Sequence, residues 1–316
     1  MSDVLDRELL WLAAGVLGVL VISSIVGAVL ARRVTSDAGR ATVANLNARI
    51  RSWWVMSAVF ALALLTRGLG SVLLFAVISF FALREFITLV PTRHGDHRTL
   101  LWVFFVVMPI QYWLVWNDWY GLFAIFIPVY VFLLAPTRSA LAGDTERFLE
   151  RTATIQWALM ICVYCVSYAP ALLTLEIPGY GDGSAKLLLF LVIVVQSSDV
   201  MQYIWGKVFG RHQIAPTVSP NKTWEGLLGG IATATLIGTG LWWVTPFAPW
   251  DAAVMSLVIT LMGFAGGLTM SAIKRDRGVK DFGTLIPGHG GVLDRIDSLC
   301  FAAPVFFHLT RYFFGA

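Results

Sequence analysis

Long apolar runs separated by short polar stretches dominate the chain. The runs fall at about 9–31, 54–65, 69–90, 99–115, 119–135, 154–174, 187–205, 227–245, 252–272 and 296–313. A bilayer's hydrocarbon layer, about 30 Å thick, takes roughly 20 apolar residues per helix, and most of these runs come close to that length. Their continuity selects helices over a barrel, whose strands would alternate apolar and polar positions. The pattern predicts an all-α, polytopic membrane protein with about ten transmembrane helices, the second of them short.

Residues 40–54 follow a different pattern. Val43, Leu46, Ile50 and Trp53 recur at helical spacing, opposite Asn45, Asn47, Arg49 and Arg51. Two readings fit: an interfacial amphipathic helix with tryptophans at headgroup depth, or an amphipathic connector packed on the protein's own spans. With no internal repeat and no soluble segment, the chain reads as one continuous membrane domain. Within it, 1–150 supplies N-terminal helices, including the interfacial segment 40–54, and 151–316 carries the polar motifs.

Composition agrees with the pattern. The chain is 58% hydrophobic and only 13% charged, more apolar than a soluble core of 316 residues could hide. A net charge of +4 could suggest nucleic acid, but no basic block with interleaved aromatics lies outside the inter-span loops, so no nucleic-acid partner is expected. Topology explains the charge better. Eighteen of the 23 lysines and arginines fall on one set of alternating loops and four on the other, with Arg84 inside a span. The positive-inside rule then puts the rich side in the cytoplasm and both termini outside it. The acidic stretch Met1–Glu8 ahead of the first run reads as the start of a retained span rather than a signal peptide. Cys162, Cys165 and Cys300 lie in apolar runs and read as packing residues.

Three polar clusters stand out, all in the second half. Asp199 sits within the seventh run, where a carboxylate costs about 2.5–3.5 kcal/mol and therefore calls for a partner or a task. Next comes Ser219-Pro220-Asn221-Lys222-Thr223-Trp224-Glu225-Gly226. Ser219 suits a helix N-cap and Pro220 the first helical position, and the exposed N–H groups of such a turn beside Lys222 would suit a phosphate. The third cluster, from Ser271 to Asp297, is the densest, with five cations and four aspartates around a Gly288-His289-Gly290-Gly291 run. A topological anchor needs positive charge only. Mixed signs beside glycines suit a metal held by carboxylates and phosphates held by cations and backbone N–H groups.

At these residues the sequence resembles the phosphatidate cytidylyltransferase (CDP-diacylglycerol synthase) family. The family's signature S-x-x-K-R-x4-K-D-x-G-x2-[LIF]-P-x-H-G-G-x-x-D-R-x-D is matched at every fixed position from Ser271 to Asp297, and Ser219–Gly226 resembles its S-P-x-K-T-x-E-G block. The resemblance implies cytidylyl transfer from CTP to phosphatidate, giving CDP-diacylglycerol and pyrophosphate, at the cytoplasmic face of the inner membrane. It further implies magnesium, with room for a second cation, and a homodimer among membrane lipids. The roles it implies are Lys274, Arg275, Lys280, Asp281, His289, Asp294 and Arg295 as catalytic; Ser219, Lys222, Thr223, Glu225, Gly290, Gly291 and Asp297 as substrate-binding; and Asp199, Asp281 and Asp294 as metal ligands. The sequence departs from the family's pattern in two blocks. Gly267 and Met270 stand where relatives carry acidic residues, and D-x-x-A-Y becomes Asp199-Val200-Met201-Gln202-Tyr203. Three readings follow: Asp199, Asp281 or Glu225 takes over the missing coordination, the chain is a divergent branch with altered substrate, or activity has been lost. Alternatives left open are another lipid phosphate as acceptor, a CTP-dependent lipid kinase, and a non-catalytic or transport protein.

Overall fold

A computed structural model describes residues 7–181 and 184–315. Among them are ten long helices and one β-hairpin. The first six helices are α1 (Arg7–Arg33), α2 (Asp37–Leu65), α3 (Arg67–Thr88), α4 (His94–Trp116), α5 (Tyr120–Ala140) and α6 (Phe148–Thr174). They are followed by α7 (Ser184–Phe209), the hairpin strands β1 (Gln213–Ala215) and β2 (Ser219–Thr223), then α8 (Trp224–Gly240), α9 (Pro249–Asp276) and α10 (Leu293–Phe314). Eight of the helices are long and apolar enough to cross a membrane. Of the other two, α8 has 17 residues, and α10 opens with Asp294, Arg295 and Asp297. The ten expected runs each fall on one helix. Of the acidic N-terminal stretch, all but Arg7 and Glu8 lies outside the described residues.

One boundary differs from expectation. The segment 40–54 is not a separate interfacial helix; it is the first half of α2, a single 29-residue helix. At 1.5 Å per residue, α2 is about 43 Å long, more than the hydrocarbon layer requires. The amphipathic half therefore extends the span beyond the apolar run; it packs on the protein's own span α1, where Asn47 Nδ2 donates to Gly27 O at 3.4 Å, as the connector reading held, and also on the loop at Pro287. Ser36 caps its start by accepting Gly39 N–H.

The bundle's centre lies where α3, α6 and α10 meet, with Phe75, Tyr168, Phe306 and Phe307 fully buried. Lipid offers helices little hydrophobic drive to associate, so close packing and inter-helix hydrogen bonds carry the contact. Tyr112 of α4 donates to Phe75 O of α3 at 2.9 Å, and Gln111 Nε2 donates to Ser167 Oγ of α6 at 3.2 Å. Glycines allow α7, α8, α9 and α10 to approach closely. A Cβ on Gly230 would come within 2.3 Å of Gln202, and one on Gly266 within 2.5 Å of Asp297 O. Cys162 and Cys300 are buried in this apolar interior, as expected of packing residues.

The polar loops gather at one end of the bundle, and ion pairs lock them. Arg151 lies 3.0 Å from Asp96, both buried, and 3.3 Å from Asp144, while Arg93 reaches Asp144 at 2.8 Å and Glu146 at 2.7 Å. This latch joins the α3–α4 and α5–α6 connections. Beside Arg93, the Asp144 carboxyl is held below the usual carboxylate range, first by the hydrogen bond from that guanidinium.

Candidate active site

The segment between α9 and α10 folds back on the start of α10, and Asp294 organises it. Asp294 Oδ1 accepts Lys274 Nζ at 2.8 Å, while Oδ2 accepts Phe282 N–H at 2.8 Å and Gly291 N–H at 3.0 Å. A buried carboxyl that accepts this many donors fixes the loop around it. The turn closes through Ile286 N–H to Gly290 O at 2.8 Å. Gly290 has φ +83°, and a Cβ there would sit 2.9 Å from Asp294 Oδ2 and 3.2 Å from Asp281 Cβ. Asp281 and Asp294 thus flank the same glycine.

Glu85 of α3 joins this loop from the other half of the chain. Its two carboxylate oxygens accept Val292 N–H and Leu293 N–H, each at 2.9 Å. These donors have no partner within α10, and an anion at a helix N-terminus also opposes the helix dipole favourably. Gly283 and Gly291 make room for the carboxylate, since a Cβ at either would fall within 2.6 Å of it. Sequence reading passed over Glu85. The available signal was an acidic residue, next to Arg84, in a run that had to cross lipid.

One turn further along α10, a second polar group faces α7. Asp199 Oδ1 accepts Ser298 Oγ–H at 2.9 Å, and Asp297 stands close enough for its charge to act on Asp199. The charges of both carboxylates act on the Lys222 ammonium, which lies 4.7 Å from the centre of the Phe264 ring. Burial pushes the Lys222 pKa down, and the two aspartates pull it back up. A Cβ on Gly267 would lie 3.1 Å from Lys222 Nζ. Gly267, where the family pattern named above would put a carboxylate, therefore lies beside this lysine's ammonium.

The Ser219–Gly226 block corrects an expectation. Ser219 and Pro220 do not start a helix; Ser219–Thr223 is strand β2, antiparallel to β1 with Ala215 opposite Ser219. Thr223 is the real N-cap of α8, its Oγ1 accepting Gly226 N–H at 3.1 Å. Proline is tolerated at a hairpin edge because the strand needs no donor there. Pro220 O instead accepts Gln213 Nε2 at 2.9 Å. Glu225 accepts Arg211 N–H at 3.0 Å and His212 N–H at 3.2 Å, which ties the hairpin's base to α8. Arg275 braces the hairpin against α9 through Val218 O at 3.3 Å.

Several of the expected site residues therefore come together: Lys274, Asp281, Asp294, Gly290 and Gly291 around the turn, and Asp199, Asp297 and Lys222 beside it. Thr223 and Glu225 serve the hairpin, Ser219 is half-buried in β2, and Lys280 is exposed on the α9–α10 segment. His289 faces Trp53 of α2, and the charge of Arg295 acts on His289 as well as on Asp199 and Asp297. Among the described residues, no three His, Cys, Asp or Glu side chains group to hold a metal ion. Asp199, Asp281 and Asp294 accordingly do not form a three-carboxylate cage. Magnesium usually takes one or two carboxylates and completes its shell with phosphate oxygens and water. Asp199 and Asp297 meet that requirement, whereas three donors already occupy Asp294.

An all-helical, polytopic membrane enzyme with its polar machinery at one end of the bundle is the class these features define. The chain belongs to the cytidylyltransferase family, whose model matches residues 47–313, and it is accordingly a nucleotidyltransferase. It is 43% identical over 267 residues to the uncharacterized protein YnbB of Escherichia coli (strain K12), covering 84% of this chain and 87% of that protein. It is 31% identical over 252 residues to the phosphatidate cytidylyltransferase of Bacillus subtilis (strain 168), covering 79% of this chain and 88% of the relative. With the phosphatidate cytidylyltransferase of Mycobacterium leprae it shares 36% identity over 174 residues, 54% of this chain and 53% of that one.

Proposed function

We propose that the protein transfers a cytidylyl group from CTP to phosphatidate, yielding CDP-diacylglycerol and pyrophosphate, at the cytoplasmic face of the inner membrane. The observation that carries this reading is the convergence of Lys274, Asp294 and the Gly290 turn with Lys222, Asp199 and Asp297 at one end of the bundle. The excess of lysine and arginine in the loops at that same end supports the cytoplasmic orientation.

In the reaction, a phosphate oxygen of phosphatidate attacks the α-phosphorus of CTP, the new P–O bond forms, and the bond to the β-phosphate oxygen breaks as pyrophosphate leaves. The nucleophile is already anionic near neutral pH, so no strong base is required. The protein's work is to align two anions and to neutralise charge. Lys222, in the hairpin strand β2, and the exposed Arg275 and Lys280 suit the nucleotide's phosphates. Lys274, held by Asp294, keeps the turn closed and adds positive potential behind it. Asp199 and Asp297 are the carboxylates that would hold magnesium, which when bound supplies Lewis-acid charge neutralisation to the phosphates.

The test uses purified protein with phosphatidate, magnesium and CTP labelled at the α- or the γ-phosphate. The α label entering lipid supports the reading. The γ label entering lipid would instead mean a lipid kinase, and neither label entering any lipid phosphate would mean a non-catalytic role.

A further inference from the structure

The α2 helix docks its polar half on the Pro287–Gly290 turn. Asn45, Arg49, Ser52 and Trp53, spaced for a single helical face, meet the turn. Ser52 Oγ–H donates to Pro287 O at 2.9 Å, and a Cβ on Gly288 would lie 3.3 Å from Arg49 Cγ and 3.4 Å from Asn45 Oδ1. Trp53 sets its ring edge-on to His289, with centroids 6.2 Å apart.

Two polar atoms at this seam are left without partners. His289 is 8% exposed, yet its Nδ1 has no hydrogen-bond partner, and neither does the buried Nε of Arg295. Buried polar groups are nearly always paired, so such orphans mark either strain or a missing ligand. The charges acting on His289 are those of Arg49 and Arg295, both cations. Arg49 is exposed, and its Nε donates only to its own helix, to Asn45 Oδ1 at 3.3 Å. Two guanidinium groups and an imidazole with spare hydrogen-bonding capacity suit an oxyanion.

We propose that this seam, formed by Arg49, His289 and Arg295, binds the phosphate of the lipid substrate, separately from the nucleotide phosphates on the hairpin side. The assignment rests on the cytidylyl-transfer reading above for what the bound lipid then does. Its lipid character comes from position. From the seam α2 continues into the apolar run 54–65 of a helix long and apolar enough to cross a membrane, and α1 and α2 leave most of their apolar residues exposed. A phosphate tethered to acyl chains reaches this wall from the membrane, whereas a soluble nucleotide meets the exposed Lys280 and Arg275.

Binding of dihexanoyl phosphatidate, inorganic phosphate and CTP to the full-length protein in detergent micelles, measured calorimetrically, tests the assignment beside turnover. Arg49→Ala should weaken phosphatidate binding and raise its KM at least tenfold, with the KM for CTP moving less than twofold. Arg49→Lys, which keeps the charge without the fork, should recover part of the loss. The assignment is overturned if Arg49→Ala acts on CTP instead, or leaves both substrates unaffected. Inorganic phosphate binding as tightly as phosphatidate would overturn its lipid character. If the wild-type protein transfers no α label but still binds phosphatidate through Arg49, the activity reading fails while the site stands.

Discussion

Asp294 and Lys274 form a 2.8 Å ion pair at the root of the α9–α10 turn, and the remaining Asp294 oxygen accepts two backbone N–H groups. A residue that sequence alone marks as a metal ligand is thus fully engaged in holding the turn. Asp294→Asn should cut turnover by at least 10²-fold and also lower the unfolding temperature in detergent. A buried, hydrogen-bonded charge pair that loses one partner typically costs about 3–5 kcal/mol. An unchanged melting curve with lost turnover would return Asp294 to a purely chemical role.

Glu85→Ala should loosen the same turn from the opposite side, leaving two buried N–H donors unpaired at about 1–3 kcal/mol each. Glu85→Gln, which keeps one good acceptor, should fall between the variant and the wild type in both stability and kcat. The comparison is made by thermal unfolding and steady-state kinetics. Equal effects of the two substitutions would show that the cap is not what Glu85 contributes.

Lys222→Met should remove an ammonium, one of the cations acting on both Asp199 and Asp297, leaving Arg295 and Lys274 to offset the two carboxylates. The expected result is a loss of turnover of about 10²-fold or more, in line with the removal of one electrostatic stabiliser. Gly267→Asp makes the opposite change, adding a carboxylate beside that ammonium. With more ligand charge near Asp199 and Asp297, half-activation should need less magnesium. Titration of activity with magnesium reads this directly, and a higher requirement would remove Asp199 and Asp297 from the metal assignment.

Arg151→Ala should destabilise the fold by about 3–5 kcal/mol by stranding the buried Asp96 carboxylate. An apolar pair at both positions, Asp96→Leu with Arg151→Met, should regain much of that loss. Thermal unfolding of the single and double variants decides it. The exposed part of the latch should persist down to the usual carboxylate range and weaken only below it. Asp144 titrates below its ordinary value when folded, so the stability it adds is present above that value and is lost as pH falls through the depressed one.

Hydropathy was enough to place all ten helices, because continuous apolar length depends on composition alone. The signature region was equally legible, since mixed charges beside glycines have few other uses in a membrane loop. The start of α8 was not. Ser-Pro suits both a helix start and a hairpin edge, and the choice was made by Thr223, whose side chain caps three residues further on. Periodicity divided α2 at residue 54 because its polar face ends there, although nothing in the backbone breaks. Glu85 escaped notice for a different reason: its partners are main-chain N–H groups some 208 residues away, which leave no trace in local pattern.

The Glu85 contact also bears on how the chain may be cut. The signature and its neighbours occupy only the carboxyl half, which invites treating 151–316 as a portable catalytic module. A fragment beginning there would leave behind the carboxylate that closes the first turn of α10, and with it the α2 wall against Pro287. Glu85 and Ser52 tie the two halves together at this turn, so the early helices hold the α9–α10 segment in place as well as filling the lipid.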